Sequence, residues 1–180
     1  LVMFDGSALS LEENIKQTKE VVDFAHEHGV DVEVEIGSMQ KGAFSDEEEG
    51  DGRLTDPDEA ADFVRKTNVD FLAASIGTVH GMYDGDPEIR LDLLDALKER
   101  IETPLVLHGG SGTPEKEVLQ AIEKGIRKIN VNTEISLTAV ESITKTVKEN
   151  SKAHLSVVME NAQHAMVDHM EKIVTLYKNK

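Results

Sequence analysis

The 180-residue chain contains no cysteine. This absence excludes a disulfide framework and any metal site built on thiolates. A tight metal site in this protein must therefore use histidine and carboxylate ligands, which suit zinc or another divalent ion.

Basic residues and long apolar runs are also scarce. The chain has 19 lysines and arginines against 35 aspartates and glutamates, which gives a net charge of −16. This balance argues against nucleic acid as a partner, and solvated acidic helix faces explain it more simply than a halophilic surface. No apolar run approaches the length of a membrane span, and no leader-like segment precedes the first predicted strand. We therefore expect a cytoplasmic protein with no membrane partner.

Strand-like and helix-like segments alternate along the sequence. Strands are predicted at 1–4, 30–36, 70–76, 104–107 and 126–131. A helix follows each of the first four strands, and two helices, 134–149 and 155–178, follow the fifth. Ser10, Asp56 and Thr113 are predicted to cap helices. Such alternation indicates a parallel sheet covered by helices. An open doubly wound sheet gathers ligand contacts at one switch point, whereas chemistry-bearing residues after every strand favour a (β/α)₈ TIM barrel.

The last two predicted strands suggest where in such a barrel the sequence belongs. Their carboxyl ends carry Gly109–Gly112 and Asn130–Thr133, and barrel enzymes often bind phosphate after strands seven and eight. Leu1–Phe4 would then be strand four. The sequence also starts inside a core-like strand, without an initiator methionine. We therefore expect residues 1–180 to be a single domain, the last five βα units of a TIM barrel plus C-terminal helices, with about three units preceding it.

Two histidines occupy the same position relative to a strand and a glycine. His80 precedes Gly81 and His108 precedes Gly109, each at the end of an apolar run. Neutral imidazole is the commonest metal ligand, and an adjacent glycine lets the main chain approach metal and substrate closely. A lone strand-end histidine is more often a satisfied polar residue. The repeated pattern nevertheless predicts a metal site, whose third ligand is still to be found.

Two carboxylates also lie near the ends of predicted strands. Asp5 and Glu35 are the further metal-ligand candidates. Asp5 also fits an ordinary Asp-Gly-Ser turn. Glu35 shares a strand face with Asp31 and Glu33, so a polar barrel interior with internal ion pairs is the alternative interpretation.

Two turns favour a bound phosphate. In Gly109–Gly112 the glycines expose main-chain N–H groups and Ser111 adds a hydroxyl, while Asn130–Thr133 offers two amides and another hydroxyl. Each turn precedes a predicted helix, whose positive end favours an anion. The acidic loop at 46–51 is interpreted as solvated, with a general acid or base closing over the site as the alternative.

Five motifs follow one another in a pattern that is typical of one enzyme family. They are Asp5-Gly6-Ser7, Val34-Glu35-Ile36-Gly37, Gly77-Thr78-Val79-His80-Gly81, Leu107-His108-Gly109-Gly110-Ser111-Gly112 and Lys128-Ile129-Asn130-Val131-Asn132-Thr133-Glu134. In their order and spacing the chain resembles class II, zinc-dependent fructose-bisphosphate/tagatose-bisphosphate aldolases, from residue 1 to about residue 175. The motifs are specific for this superfamily and much less specific for the sugar.

The resemblance implies a role for each of these motifs. His80 and His108 would be two catalytic ligands of Zn²⁺, while Asp5 and Glu35 would belong to a second or alternate metal position, for another divalent or a monovalent cation. Dihydroxyacetone phosphate would be held by loop residues, namely Gly81, Gly109, Gly110, Ser111, Asn130, Val131, Asn132 and Thr133. The family's third zinc histidine and its proton-transfer aspartate would lie before Leu1.

The implied reaction is a reversible aldol cleavage of a phosphorylated ketose. Zinc acts as a Lewis acid on the substrate's ketone and hydroxyl oxygens, so no Schiff-base lysine is needed. Fructose 1,6-bisphosphate, cleaved to dihydroxyacetone phosphate and glyceraldehyde 3-phosphate, is the default substrate, and tagatose bisphosphate or a related ketose phosphate is the alternative. Other hypotheses are a non-catalytic phosphate-binding half-barrel that associates with another chain, and a metal-free isomerase or synthase. Family members commonly form homodimers or larger homo-oligomers.

The sequence departs from the family pattern in two places. Many members carry a lysine near Tyr83, where this chain has Asp84-Gly85, so the phosphate lacks one cationic contact or draws it from elsewhere. The loop at 41–53 is more acidic than usual and aligns poorly. The family's catalytic glutamate is therefore not assigned to Glu47, Glu48 or Glu49.

We predict that the 180-residue segment alone has no substantial aldolase activity. It offers two of three expected histidine ligands and no proton-transfer aspartate, and its predicted sheet is not closed. The measurement is zinc-dependent cleavage of fructose 1,6-bisphosphate by the isolated, zinc-loaded segment. Cleavage clearly above the rate without enzyme would overturn the prediction.

Overall fold

In the computed structural model, strands and helices alternate as the sequence predicts. The structure describes residues 1–46, 50–85 and 87–178. The chain divides into two compact units, Leu1–Asn130 and Val131–Lys180. The elements of the first unit are β1 (Val2–Asp5), α1 (Leu11–Glu27), β2 (Val32–Ile36), β3 (Gln40–Lys41), α2 (Pro57–Thr67), β4 (Phe71–Ala74), β5 (Val79–His80), α3 (Leu91–Arg100), β6 (Leu105–Leu107), α4 (Glu115–Glu123) and β7 (Ile126–Ile129). The single-domain organisation stays a prediction.

The main sheet has five strands in the order β1-β2-β4-β6-β7, and every pair is parallel. Adjacent strands of the main sheet therefore follow one another in chain order, without a reversal. A doubly wound sheet would show such a reversal at its switch point, whereas a (β/α)₈ barrel adds each strand beside the previous one. The register sets Phe4 beside Val34, and Val34 beside Leu72. The fold is α/β, with the strand order of a (β/α)₈ barrel.

A second, two-stranded sheet was not predicted. Its strands are β3 and β5, which pair in parallel with Lys41 beside His80. The third predicted strand, 70–76, ends earlier, at Ala74, and His80 lies on β5 instead of ending an apolar run. The reason is Gly77, whose φ of +95° turns the chain after β4 and whose Cβ position would lie 2.4 Å from the carbonyl oxygen of Glu88.

Two of the three predicted helix caps are confirmed. Oγ of Ser10 accepts a hydrogen bond from the main-chain N–H of Glu13 at the start of α1, and Asp56 caps α2, which has Pro57 in its first turn. The predicted cap of α4 is wrong. Oγ1 of Thr113 donates instead to the carbonyl oxygen of Gly109, so this hydroxyl holds the preceding turn together.

The core of the first unit lies between the main sheet and the helices. Val34, Leu72 and Leu105 lie beside one another on three adjacent strands and are fully buried. Helices α2 and α3 contribute Phe63 and Leu97, which have no exposed surface. Burial of these side chains fixes the strands, and thereby the loops that follow their carboxyl ends.

The second unit consists of α5 (Thr133–Glu149) and α6 (Leu155–Lys178), in close agreement with the two predicted C-terminal helices. Nε2 of His169 on α6 lies 3.2 Å from Oε2 of Glu134 on α5. Burial and the Glu134 carboxylate raise the pKa of Tyr177 to about 12. In the described part of the chain, α6 included, no helix has both the length and the apolar character to cross a membrane.

Replacement of Phe63 by alanine should test the importance of this core. The F63A variant should lose about 3–5 kcal/mol of unfolding free energy, because it leaves a cavity beneath α2. Phe24, which is 67% exposed, provides the matched control, and F24A should lose about 1 kcal/mol or less. Urea denaturation monitored by circular dichroism gives both values. Equal losses would contradict the assignment of Phe63 to the core.

Candidate active site

Strand β2 carries two buried carboxylates on one face. Successive side chains of a strand point to opposite faces, so Glu33 and Glu35 lie on one face of β2, and Val32 and Val34 lie on the other. Glu33 is 0% exposed and Glu35 is 2% exposed. Carboxylates so deeply buried must be paired or hydrogen-bonded, because leaving an ionised group unpaired there is very costly.

His108 lies between these two carboxylates. It directly follows β6, and its Nδ1 is 2.9 Å from Oε2 of Glu35 while its Nε2 is 2.8 Å from Oε1 of Glu33. Burial alone would lower the pKa of His108, but the two carboxylate contacts outweigh it and raise the pKa to about 9. Without a metal, a positive imidazolium therefore lies between the two carboxyl groups at neutral pH.

Lys128 extends this arrangement to a predicted substrate residue. Its Nζ lies 2.8 Å from Oε2 of Glu33 and donates to Oδ1 of Asn130. Burial alone would raise the pKa of Glu33, but the contacts with His108 and Lys128 lower it below its usual value. Polar contacts thus run without interruption from Asn130 through Lys128, Glu33 and His108 to Glu35. We call these five residues the polar network.

Sequence reasoning undervalued two members of the polar network. Glu33 was interpreted only as part of a polar interior, although the period-two alternation of β2 already placed it beside Glu35. Lys128 begins the fifth motif but was given no role. The available signal was a lysine inside a predicted strand, two residues before Asn130.

Glu35, His80 and His108 form a group that can hold a metal ion. Each offers a ligand atom, and these atoms lie within 4.8 Å of one another. The ring centroids of the two histidines are 5.9 Å apart. Two imidazole nitrogens and a carboxylate oxygen are a donor set that zinc accepts, so the residues fit the cofactor that the resemblance implies. Glu35 completes this group of three, whereas the resemblance places the third zinc histidine before Leu1 and Glu35 at a second or alternate metal position.

Asp5 is not a member of this three-residue group among the described residues. Its Oδ1 accepts a hydrogen bond from the main-chain N–H of Ser7, which is the turn geometry considered as the alternative. Asp5 nevertheless lines the same cavity as Glu35 and His80. The structure thus brings three of the four predicted metal ligands together and leaves Asp5 at the cavity wall.

The glycines of the predicted phosphate turns allow close approaches within the protein. Gly109 has a φ of +68°, and a Cβ there would lie 2.2 Å from the carbonyl oxygen of Val79. The turn after His108 therefore passes directly over the strand that carries His80. Gly81 has a φ of +116°, and its Cβ position would lie 2.6 Å from the carbonyl oxygen of Ala43.

The predicted phosphate residues fall into both units. Gly81, Gly109, Gly110, Ser111 and Asn130 belong to the first unit, where the main-chain N–H of Gly110 donates to the carbonyl oxygen of Asn130 at 3.0 Å. Ser111 is buried. The remaining three, Val131, Asn132 and Thr133, belong to the second unit, whose helix α5 begins at Thr133.

A cavity of about 650 Å³ adjoins the metal-binding group. Its lining includes Glu35 and His80, the turn at 7–11, and the end of the acidic loop at Gly50, Asp51 and Arg53. This volume suits a phosphorylated sugar. The described carboxylates of the loop, Asp46 and Asp51, are exposed, and Gly50 and Asp51 also line this cavity. Glu47, Glu48 and Glu49 lie outside the described residues.

Comparisons with known proteins agree on one family. The chain is 39% identical over 180 residues to the sulfofructosephosphate aldolase of Alkalicoccus urumqiensis, covering 98% of this chain and 62% of that protein. It is 42% identical over 150 residues to the 6-phospho-5-dehydro-2-deoxy-D-gluconate aldolase of Bacillus subtilis, covering 83% of this chain and 51% of that protein.

The fold is also similar to that of a solved aldolase structure. The crystal structure of the YdjI aldolase from Escherichia coli K12 matches with a TM-score of 0.82 and 35% identity, covering 98% of this chain and 60% of that one. The chain thus spans between half and two thirds of the length of these relatives. The family model for class-II fructose-bisphosphate aldolase matches residues 2–180. This chain belongs to the class-II fructose-bisphosphate aldolase family.

Proposed function

We propose that the protein is a metal-dependent aldolase that cleaves a carbon–carbon bond of a phosphorylated ketose. The observation that supports this most directly is the group of Glu35, His80 and His108 beside a cavity of about 650 Å³. Lewis-acid cleavage requires metal ligands next to a space that admits the sugar. This group meets both requirements within one compact unit.

Glu35, His80 and His108 would hold zinc. The bound metal would supply Lewis acidity toward the ketone and hydroxyl oxygens of the substrate. Imidazole ligates a metal only in its neutral form, so His108 must give up the proton that keeps it positive in the polar network. The remaining carboxylate contact would then fix the orientation of the ring, as carboxylates commonly do for metal-binding histidines.

The phosphate of the dihydroxyacetone phosphate half would lie against the turn at 109–112 and Asn130, with Gly81 nearby. The turn directly follows His108 and precedes α4, so a phosphate held there would lie close to the metal ligands. Within the first unit, Gly109, Gly110, Ser111 and Asn130 would hold the phosphate, while Val131, Asn132 and Thr133 are substrate residues by the resemblance alone. Such binding orients the ketose carbons for cleavage.

The substrate is proposed as a phosphorylated ketose that carries a second acidic group. Fructose 1,6-bisphosphate is the default, with glyceraldehyde 3-phosphate as the second product. The names of the two relatives give sulfofructosephosphate and 6-phospho-5-dehydro-2-deoxy-D-gluconate, which combine a phosphate with a sulfonate or a carboxylate. These two compounds and tagatose bisphosphate complete the panel to be tested. The working form of the enzyme is proposed as a homodimer or a larger homo-oligomer.

Loss of a metal-binding histidine should remove both zinc and activity. In the full gene product, the variants H80A and H108A should bind zinc much more weakly than the wild type. Removal of a residue that only orients a ligand typically lowers metal affinity about 10- to 100-fold, or about 1.4–2.7 kcal/mol, and removal of the ligand itself should cost more. Zinc content is measured by plasma emission spectrometry, and cleavage by a coupled assay over the substrate panel. His164, which is exposed on α6, supplies the matched control H164A, which should behave as the wild type. Absence of a bound divalent ion, together with cleavage that survives a chelator, would refute the proposal.

Neutralising Glu33 should weaken zinc binding without removing a ligand. The E33Q variant keeps the size of the side chain but gives up its charge-assisted contact with His108. We expect zinc affinity to fall by about 10- to 100-fold, measured by competition with a chromophoric chelator. Asp31, which is exposed just before β2, supplies the control D31N, with unchanged affinity. An E33Q variant that binds zinc as tightly as D31N would show that Glu33 does not orient His108.

A further inference from the structure

We propose that Arg53 recognises the second acidic group of the substrate, the one that leaves with the aldehyde product. The inference rests on the proposed function and adds to it a residue that selects the substrate class. That class is a phosphorylated ketose whose other end carries an oxyanion, whether phosphate, sulfonate or carboxylate.

The charges around the cavity single out Arg53. Its lining includes three carboxylates, those of Asp5, Glu35 and Asp51. Among the described residues that line it, Arg53 is the one with a permanent positive charge. An anionic group that enters this space is repelled by these carboxylates, so a cation beside it would stabilise its binding. Arg53 is the side chain in the lining that can supply one.

The main chain of Arg53 is fixed close to the metal-binding strand. Its carbonyl oxygen accepts a hydrogen bond from the N–H of Ser38 at 2.9 Å, and its own N–H donates to Oδ1 of Asp51 at 3.1 Å. Gly37 allows this approach, because a Cβ at that position would lie 2.9 Å from the Arg53 carbonyl oxygen. Arg53 is thereby held beside residues that follow Glu35 by only two and three positions.

The chain after Arg53 is anchored as well. Oγ1 of Thr55 donates to the carbonyl oxygen of Ile36 at 2.9 Å and accepts from the N–H of Ser75 at 2.9 Å. Thr55 is buried. Arg53 therefore projects from a segment that is attached on both sides to the carboxyl ends of β2 and β4, which is a suitable base for a side chain that must select a ligand.

The guanidinium of Arg53 is only loosely engaged within the protein. Its ion pair with Glu59 has an N–O distance of 4.0 Å, and half of the side chain is exposed. By contrast, Arg90 and Arg100 lie 2.6 and 2.7 Å from their carboxylate partners. The planar guanidinium can donate two parallel hydrogen bonds to a phosphate, sulfonate or carboxylate, which makes it suited to all three groups.

The test compares two substrates that differ in one phosphate. Fructose 1,6-bisphosphate and fructose 1-phosphate share the phosphate of the dihydroxyacetone half, and the second lacks the other one. In the zinc-loaded full gene product, R53A should lower kcat/KM for the bisphosphate by about 10-fold or more, mainly through KM. For fructose 1-phosphate the change should stay within about 2-fold, and R53K should recover part of the loss. Sulfofructosephosphate should respond to R53A as the bisphosphate does.

Two control variants separate recognition from other roles of the charge. R65A removes the same charge from the exposed surface of α2, where Arg65 pairs with Asp62, and should leave both substrates unaffected. E59Q removes the partner of Arg53 while keeping the guanidinium, and should leave the preference for the bisphosphate unchanged. If E59Q or R65A reproduced the effect of R53A, or if R53A weakened both substrates equally, the proposal would be overturned.

Failure of the proposed function would be recognised separately. A wild-type protein that cleaves no member of the panel refutes the aldolase proposal but not yet the role of Arg53. Calorimetric binding of the same two fructose phosphates then decides. A selective weakening of the bisphosphate in R53A supports recognition by Arg53, whereas equal weakening, or no binding to the wild type, contradicts it.

Discussion

The pairing of His108 with two buried carboxylates is the interaction on which this structure depends. Glu33 and Glu35 lie on a buried face of the sheet with almost no exposed surface. Each would be strongly destabilising if it were ionised without a partner. His108 contacts both, and Lys128 contacts the second oxygen of Glu33. The acidic face of β2 can therefore be buried only when β6 and β7 supply their cations. The same contacts join strands that are not neighbours in the sheet.

These contacts also bear on the curvature of the sheet. Strand β4 separates β2 from β6, and two strands separate β2 from β7. In a flat sheet these distances would be about 10 and 14 Å, since neighbouring strands are about 4.8 Å apart. The side chains of β2 nevertheless contact His108 and Lys128. Bending of the sheet toward this face would shorten the distances between the strands and favour these contacts. Ion pairs between non-adjacent strands thus suit a barrel better than a flat sheet.

Much of this site could be predicted from short stretches of sequence, because strand alternation and the residues beside a strand end are local features. The alternation of Glu33 and Glu35, and the glycines after His80 and His108, predicted strand-end ligands that the structure brings together. The pairing of β3 with β5 and the contact of His108 with Glu33, 75 residues earlier, depend on strand order and could not be read from a short window. Thr113 is not the cap because α4 begins at Glu115 with Pro114 at the N-cap position, while the Thr113 hydroxyl donates to the carbonyl oxygen of Gly109.

The structure also changes how the glycine-rich turn is understood. The sequence suggested that its main-chain N–H groups face an anion, yet the N–H of Gly110 is bonded to Asn130 and Gly109 passes over Val79. Gly109 is therefore required by packing, since a side chain there would collide with the strand that bears His80. That packing sets the separation of the two histidine rings. A residue larger than glycine would thus disturb the metal-binding group even before any substrate was present.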